Sequence, residues 1–342
     1  MIRNNELYIS NISNALNKNN LEKLKNKSIL ITGANGLIGA CIVDVIAYLN
    51  KFQNYNIKIG CLVRTDLDER LKQYDNIKII IQDITQKIET DEKFDYIIHA
   101  ASNAHPKAYS IDPVGTSLGN FIGMKNVLEF AKNANCKRVE YISSGEVYGE
   151  PTEDTKSFSE EYQNGWHNIL SPRSCYPISK IASENLCVCY SKQYDIETVI
   201  ARPCHTYGPT QTLNDSRASS EFIRNGLNKS DIVMKSEGTQ IRSYCNVIDC
   251  AIGILIILAN GNNAEAYNVS NNNSIVSIRE FAEKVAEISG CKIRFELPTK
   301  EEKNSYNPVT RSVLNGNKLE EIGWNPFFDI DSGIKSTLNI MK

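Results

Sequence analysis

KSILITGANGLIGACIVDVIAYLNKF, residues 27–52, is the stretch whose reading decides the fold. The run SILIT has the length and β-branched content of a buried strand. Gly33, Gly36 and Gly39 follow, and LIGACIVDVIAYLNKF then continues as an apolar helix. Such glycines let the backbone turn sharply and approach a pyrophosphate, while the helix N-terminus offers free N–H groups and a positive dipole end. Strand, glycine turn and helix in that order make a dinucleotide site a better reading than a bare tight turn.

Outward from this stretch, strands and helices alternate. IKIGCLVR, KIIIQDI, FDYIIHAAS, KRVEYISS and ETVIARP read as five further strands, with helices between several of them. Continuous apolar runs are expected of strands buried on both faces. The predicted class is α/β, a Rossmann-type doubly wound parallel sheet with a smaller mixed C-terminal substrate lobe. Residues 27–202 plus about 241–262 are assigned to the sheet domain, and 203–240 plus 263–342 to the second lobe. Residues 1–26 read as a polar helical preface or a loose arm.

Composition narrows the class. A formal net charge of −2 over 342 residues lacks the basic footprint of a nucleic-acid protein. The longest apolar run, AIGILIILA, is too short to span a membrane, and no export signal is recognisable. Ten cysteines are scattered without zinc-like spacing, so no metal is expected. A cytoplasmic protein follows as the expectation.

Two sites carry chemistry. At the end of the second strand, Arg64 stands where an NAD site places an acid for the ribose 2′-hydroxyl. A guanidinium suits a 2′-phosphate, so NADP(H) is favoured over NAD(H). The alternative leaves Arg64 on the surface while Asp66 or Asp68 reaches back to the ribose. Asp83, ending the third strand, is placed either to meet the adenine or to cap the strand. The second site is SCYPISK, with Tyr176 and Lys180 four residues apart. A free tyrosine has a pKa of about 10, too high for easy proton exchange at neutrality. A lysine cation about 4 Å away contributes roughly 4 kcal/mol at an effective dielectric of ~20, or about three pKa units. Pro177 suits the first position of a helix, which puts Tyr176 at its cap. Ser144, at the end of the fifth strand, can donate to the same substrate oxygen.

At these residues the chain resembles the extended short-chain dehydrogenases/reductases, in their nucleotide-sugar epimerase, dehydratase and reductase branch. GANGLIG, HAAS, SSGEVYG, YPISK, RPCHTYGP, EGTQIRSYCNVID and IGWNP carry the resemblance, in this order. It implies a triad of Ser144, Tyr176 and Lys180, with Glu146 as a further acid/base group. The implied cofactor contacts are Gly33, Asn35, Gly36, Leu37, Ile38, Gly39, Arg64, Asp83, Ile84, Ala100, Ala101, Ser102, Tyr176 and Lys180. The implied partner is a nucleotide-diphosphate sugar, met by His205, Tyr207, Arg217 and Arg242, and a homodimer is expected.

Two positions depart from the family pattern. Sugar 4,6-dehydratases of this family usually read Asp-Glu after the catalytic hydroxyl, whereas Gly145 and Glu146 follow Ser144 here. Glycine cannot protonate a leaving hydroxyl. His205 stands where many relatives carry asparagine; it either positions substrate or is a buried structural residue. With Arg64, these departures favour an NADPH-dependent reductase of a nucleotide-linked keto sugar. A 4-epimerase, UDP-glucuronate decarboxylase or 4,6-dehydratase is the alternative, and a non-catalytic dinucleotide-binding scaffold a remote one.

Overall fold

A computed structural model describes residues 4–163, 165, 167–296, 298–299 and 309–342. Its centre is a parallel sheet of seven strands. These are β1 (Ser28–Thr32), β2 (Lys58–Val63), β3 (Ile77–Ile81), β4 (Tyr96–His99), β5 (Arg138–Ile142), β6 (Glu197–Pro203) and β10 (Glu265–Val269), in the spatial order β10-β6-β5-β4-β1-β2-β3. Thr32 pairs with both Leu62 of β2 and His99 of β4, so the order reverses at β1 and opens a crevice at the strands' carboxyl ends.

Two apolar layers cover the sheet. On one face lie α1 (Glu6–Leu16), α2 (Leu37–Gln53) and α8 (Val247–Asn260), and on the other α5 (Pro113–Ala134) and α6 (Cys175–Tyr194). The short helix α4 (Pro106–Ile111) borders the crevice, and the short helix α3 (Glu69–Lys72) lies between β2 and β3. α5 starts where Asp112 caps the N–H of Gly115 and Pro113 presets the first turn. Residues 4–26 are no loose arm: Tyr8 bonds Asp44 at 2.9 Å and Asn11 bonds Ser336 at 2.6 Å, fastening α1 to both ends of the fold. Residues 1–3 lie outside the described residues.

The second lobe has its own core around Phe281, Tyr244 and Ile334. α7 (Ala218–Leu227) and α9 (Ile278–Ser289) pack there with β7 (His205–Tyr207), β8 (Ile232–Met234), β9 (Ile241–Asn246), β11 (Ile275–Ser277), β12 (Ile293–Phe295) and β13 (Arg311–Ser312). A capping box between Ser277 and Glu280 starts α9. Two assignments from sequence are corrected. β9, given to the sheet domain, pairs with β7, β11 and β13 in the second lobe; β10, given to the second lobe, pairs with β6 as a strand of the main sheet. Both strands mix apolar and polar residues (IRSYCN and EAYNV), and partner choice depends on where the intervening chain returns.

Glu140 of β5 breaks the apolar rule. Val139 and Tyr141 face the α5–α6 layer, so alternation turns Glu140 into the opposite core. It is fully buried and neither carboxylate oxygen has a hydrogen-bond partner among the described residues. Burial holds its carboxyl well above the usual range. The native state therefore keeps a proton that the unfolded chain loses above about pH 4.3, and stability falls as pH rises through that window. Glu140→Leu should raise stability by about 1–3 kcal/mol, more at pH 8 than at pH 5. Denaturant unfolding at both pH values checks this; a smaller gain at pH 8 contradicts it.

Candidate active site

A cavity of about 1210 Å³ runs from the glycine turn across the carboxyl ends of the strands into the second lobe. That exceeds the roughly 300–1,000 Å³ common for a single small ligand, so two ligands fit end to end. Its first half has the shape a dinucleotide needs. Gly33 has φ +70°, and a Cβ there would lie 2.7 Å from the Cα of Ala101. The Gly33 carbonyl accepts from the N–H of Gly36 at 2.9 Å, and Gly36 caps α2 without using a side chain. The first N–H groups of α2 thus face space that no Cβ occupies, which fits a pyrophosphate. Leu37, Ile38, Ile84, Ala100, Ala101 and Ser102 line this half.

Arg64 also lines the cavity. Asp66 is paired with Lys72, while Asp68 caps α3 and sits 3.3 Å from Arg70 Nε, so neither reaches back toward a ribose. Asn35 ties this loop down, donating to the Asp66 carbonyl and accepting from the Asp68 N–H. Asp83 caps the turn after the third strand and also lines the cavity. Its Oδ1 accepts from the N–H and hydroxyl of Thr85. Those hydrogen bonds, with Arg64 near, hold its carboxyl below the usual range.

The triad meets where the two halves join. Tyr176 lies in the first turn of α6, which begins at Cys175, one residue before the expected cap. Ser144, two residues past β5, lies beside Tyr176 and accepts from the Glu146 N–H at 3.2 Å. Lys180 Nζ donates to the Ile142 carbonyl at 2.7 Å and lies 5.7 Å from the Tyr176 ring centre. The expected lysine activation of the phenol is corrected by burial. Burial first, and then Glu146, push the Tyr176 phenol up to about 12 against the lowering hydrogen bond from Ser144. Burial also brings Lys180 down to about 7, with Glu184 opposing. Without ligands, desolvation outweighs the attraction that four-residue spacing permits.

Beyond the triad lies a cluster of arginines. Arg217 pairs with Asp215, its Nε 3.0 Å from Oδ1. Arg242 is buried and donates to the carbonyls of Ile241 and Val309. Both line the cavity with His205, which burial, together with Arg242 and Arg217, lowers to about 3 and so keeps neutral. Tyr207 does not belong to this group. It lies in the second core against Phe281 and Tyr244, its hydroxyl closed off by Gly333. Position 145 packs on Leu314, where a Cβ would lie 2.8 Å from Cδ1, so a larger residue there requires the leucine side chain to shift. Sequence reasoning missed Arg173, whose Nη2 donates to Glu146 Oε2 at 2.8 Å. It also missed Tyr109, stacked on Tyr176 at 5.4 Å. Arg173 sits three residues before Tyr176, and that nearness was the available signal.

Comparison with known proteins gives the family and the fold. Residues 29–270 match the model of the NAD dependent epimerase/dehydratase family. UDP-glucuronic acid decarboxylase 3 of Arabidopsis thaliana is 31% identical over 314 residues, covering 90% of this chain and 87% of that protein. UDP-glucuronic acid decarboxylase 1 of Xenopus tropicalis is 29% identical, covering 94% and 74%. Among solved structures, the UDP-glucose 4-epimerase of Thermotoga maritima with UDP-glucose shares the fold at a TM-score of 0.78 and 22% identity, covering 92% of this chain and 98% of that one. The dTDP-glucose 4,6-dehydratase of Streptomyces venezuelae, solved with NAD, does so at 0.77 and 24%, covering 92% and 96%. The chain, with its glycine turn and its Ser144, Tyr176 and Lys180 in one cleft, belongs to the NAD dependent epimerase/dehydratase family.

Proposed function

We propose that this chain decarboxylates a nucleotide-linked hexuronic acid of the UDP-glucuronate type, by transient oxidation at sugar C4. The observation that carries this reading is a single carboxylate, Glu146, held by Arg173 beside Tyr176, with glycine at 145. Water loss from C6 needs an acid for the leaving hydroxyl and a base for C5. Carbon dioxide loss next to a C4 ketone needs neither: the carbonyl takes up the electrons, and C5 then needs one proton. One carboxylate suffices. The names of the Arabidopsis and Xenopus relatives support the same choice, and weigh against the keto-sugar reductase expected from sequence.

A nicotinamide dinucleotide in the first half of the cavity supplies reversible hydride acceptance and, when oxidised, a positive charge. Tyr176 accepts the proton of the C4 hydroxyl and later returns it, while Ser144 donates to the same oxygen. Lys180, fixed on the Ile142 carbonyl, offers its remaining hydrogens toward the cofactor ribose. Arg217 and Arg242 receive the diphosphate, and neutral His205 adds a hydrogen bond without charge. Exposed Val114, Leu118 and Phe121 of α5, with Ile178 and Ile181 of α6, support a homodimer.

For the cofactor we keep NADP(H), because Arg64 lines the cavity while Asp66 and Asp68 are engaged elsewhere. Arg64→Ala should remove most of a preference for NADPH over NADH and leave NADH binding nearly unchanged. Fluorescence titration decides; equal affinities in the unsubstituted protein defeat the assignment. The same arginine favours a second reading, an NADPH-dependent reductase of a nucleotide-linked keto sugar. Mass spectrometry separates the two. With UDP-glucuronate, decarboxylation gives a product lighter by one carbon dioxide and no net cofactor change. A keto sugar that gains two hydrogens while NADPH is consumed would establish the reductase instead, and a water-loss product would refute both.

A further inference from the structure

Arg173 belongs to the short turn Pro172–Ser174 that leads into α6, and Ser171 caps that turn by accepting the Arg173 N–H at 3.3 Å. Its guanidinium makes two contacts that matter. Nη2 donates to Glu146 Oε2 at 2.8 Å, and the guanidinium carbon lies 4.6 Å from the centre of the Tyr109 ring. Nε has no hydrogen-bond partner among the described residues. Tyr109 in turn stacks on Tyr176 with ring centres 5.4 Å apart and planes at 25°. Tyr109 is buried, so this stack leaves it little freedom. Glu146 itself sits on a one-turn 3-10 element, Gly145–Tyr148, whose N-cap is Ser144. Among the described residues, no other hydrogen bond or ion pair holds the Glu146 carboxylate. Arg173 therefore contacts both the Glu146 carboxylate and the Tyr109 ring that stacks on Tyr176.

We propose that Arg173 is the positioning residue for Glu146, aiming its carboxyl at C5 without taking part in the exchange at C4. The inference rests on the decarboxylase reading above. In the step concerned, the C5–carboxyl bond breaks and its electron pair passes to the C4 carbonyl as an enolate. Carbon dioxide leaves, and Glu146, protonated from solvent, gives its proton to C5. The Glu146 carboxylate that results is received by Arg173. A charge-assisted hydrogen bond is short and directional, so it can hold a glutamate rotamer that solvent contact would leave free. Oxidation at C4 uses Tyr176, Ser144 and Lys180 and needs none of this. Loss of Arg173 should thus divide the reaction in two.

The test compares Arg173→Met, Arg173→Lys and Glu146→Gln with the unsubstituted protein, mixed with oxidised cofactor and UDP-glucuronate. C4 oxidation is followed by the near-ultraviolet absorbance of the reduced cofactor, and the later half by carbon dioxide release. In Arg173→Met the first half should persist within about threefold, while carbon dioxide release falls about a hundredfold, the lower end of what positioned acid catalysis contributes. Arg173→Lys keeps a donor for Glu146 and should recover at least about tenfold of that loss. A purely structural role would slow both halves together and lower the melting temperature. That outcome, or unchanged carbon dioxide release in Arg173→Met, overturns the inference. If Arg173→Met does not fold, Arg173→Lys carries the comparison, and equal slowing of its two halves overturns the inference. Loss in Glu146→Gln without loss in Arg173→Met defeats the positioning role alone. No carbon dioxide release from the unsubstituted protein defeats the decarboxylase reading itself, and the inference with it.

Discussion

Tyr176→Phe should lower turnover by at least about a hundredfold while cofactor and substrate still bind, since positioned proton transfer contributes about 10²–10⁴-fold. The structure makes this a clean deletion. Tyr176 is buried, and its ring packs on Tyr109, so phenylalanine fills the same space in the same stack. What is lost is the hydroxyl that Ser144 contacts and that any C4 oxygen must meet. No other described phenol or imidazole takes its place. Desolvation, and then Glu146, push the Tyr109 hydroxyl far up, and burial with Arg242 and Arg217 lowers His205 to about 3, so both are neutral at pH 7. Steady-state rates with calorimetric titration of cofactor check the prediction. A variant keeping more than about a tenth of the rate contradicts the role given to Tyr176.

How much of this was legible beforehand depended on whether a residue's task is local. The strands of the main sheet up to β6 were readable because burial on both faces demands continuous apolar runs, and the glycine turn because backbone approach forbids a Cβ. Placement of β9 and β10 was not, since each mixes apolar and polar residues and its partner is chosen by tertiary return. Tyr207 sits in a motif that faces the cavity, yet its own ring turns into the second core; a motif names a segment, not a direction. Lys180 was correctly placed near Tyr176, but sequence spacing carries no dielectric, and burial reversed the expected effect on the phenol. Arg173 meets Glu146 across 27 residues of chain, a pairing that no periodicity encodes.

Gly39→Ala separates two physical effects of opposite sign. Gly39 lies in the first turn of α2 with an ordinary helical backbone, where alanine is favoured over glycine by about 1 kcal/mol on propensity alone. Sterics say otherwise. A Cβ at 39 would lie 2.4 Å from the Gly33 carbonyl oxygen and 3.1 Å from the Cα of Ala34. The obstacle is backbone, with no flexible side chain to move aside. That same carbonyl accepts the Gly36 N–H and holds the turn closed, so moving it opens the cradle. Overpacking of this kind costs about 1–3 kcal/mol, enough to cancel the propensity gain and reverse it. Gly39→Ala should therefore be destabilised, and its dinucleotide affinity should fall by at least about tenfold, or 1.4 kcal/mol. Chemical denaturation and cofactor titration measure the two effects separately. A more stable variant with unchanged affinity would show that helix propensity governs this position and that the glycine turn does not hold the pyrophosphate.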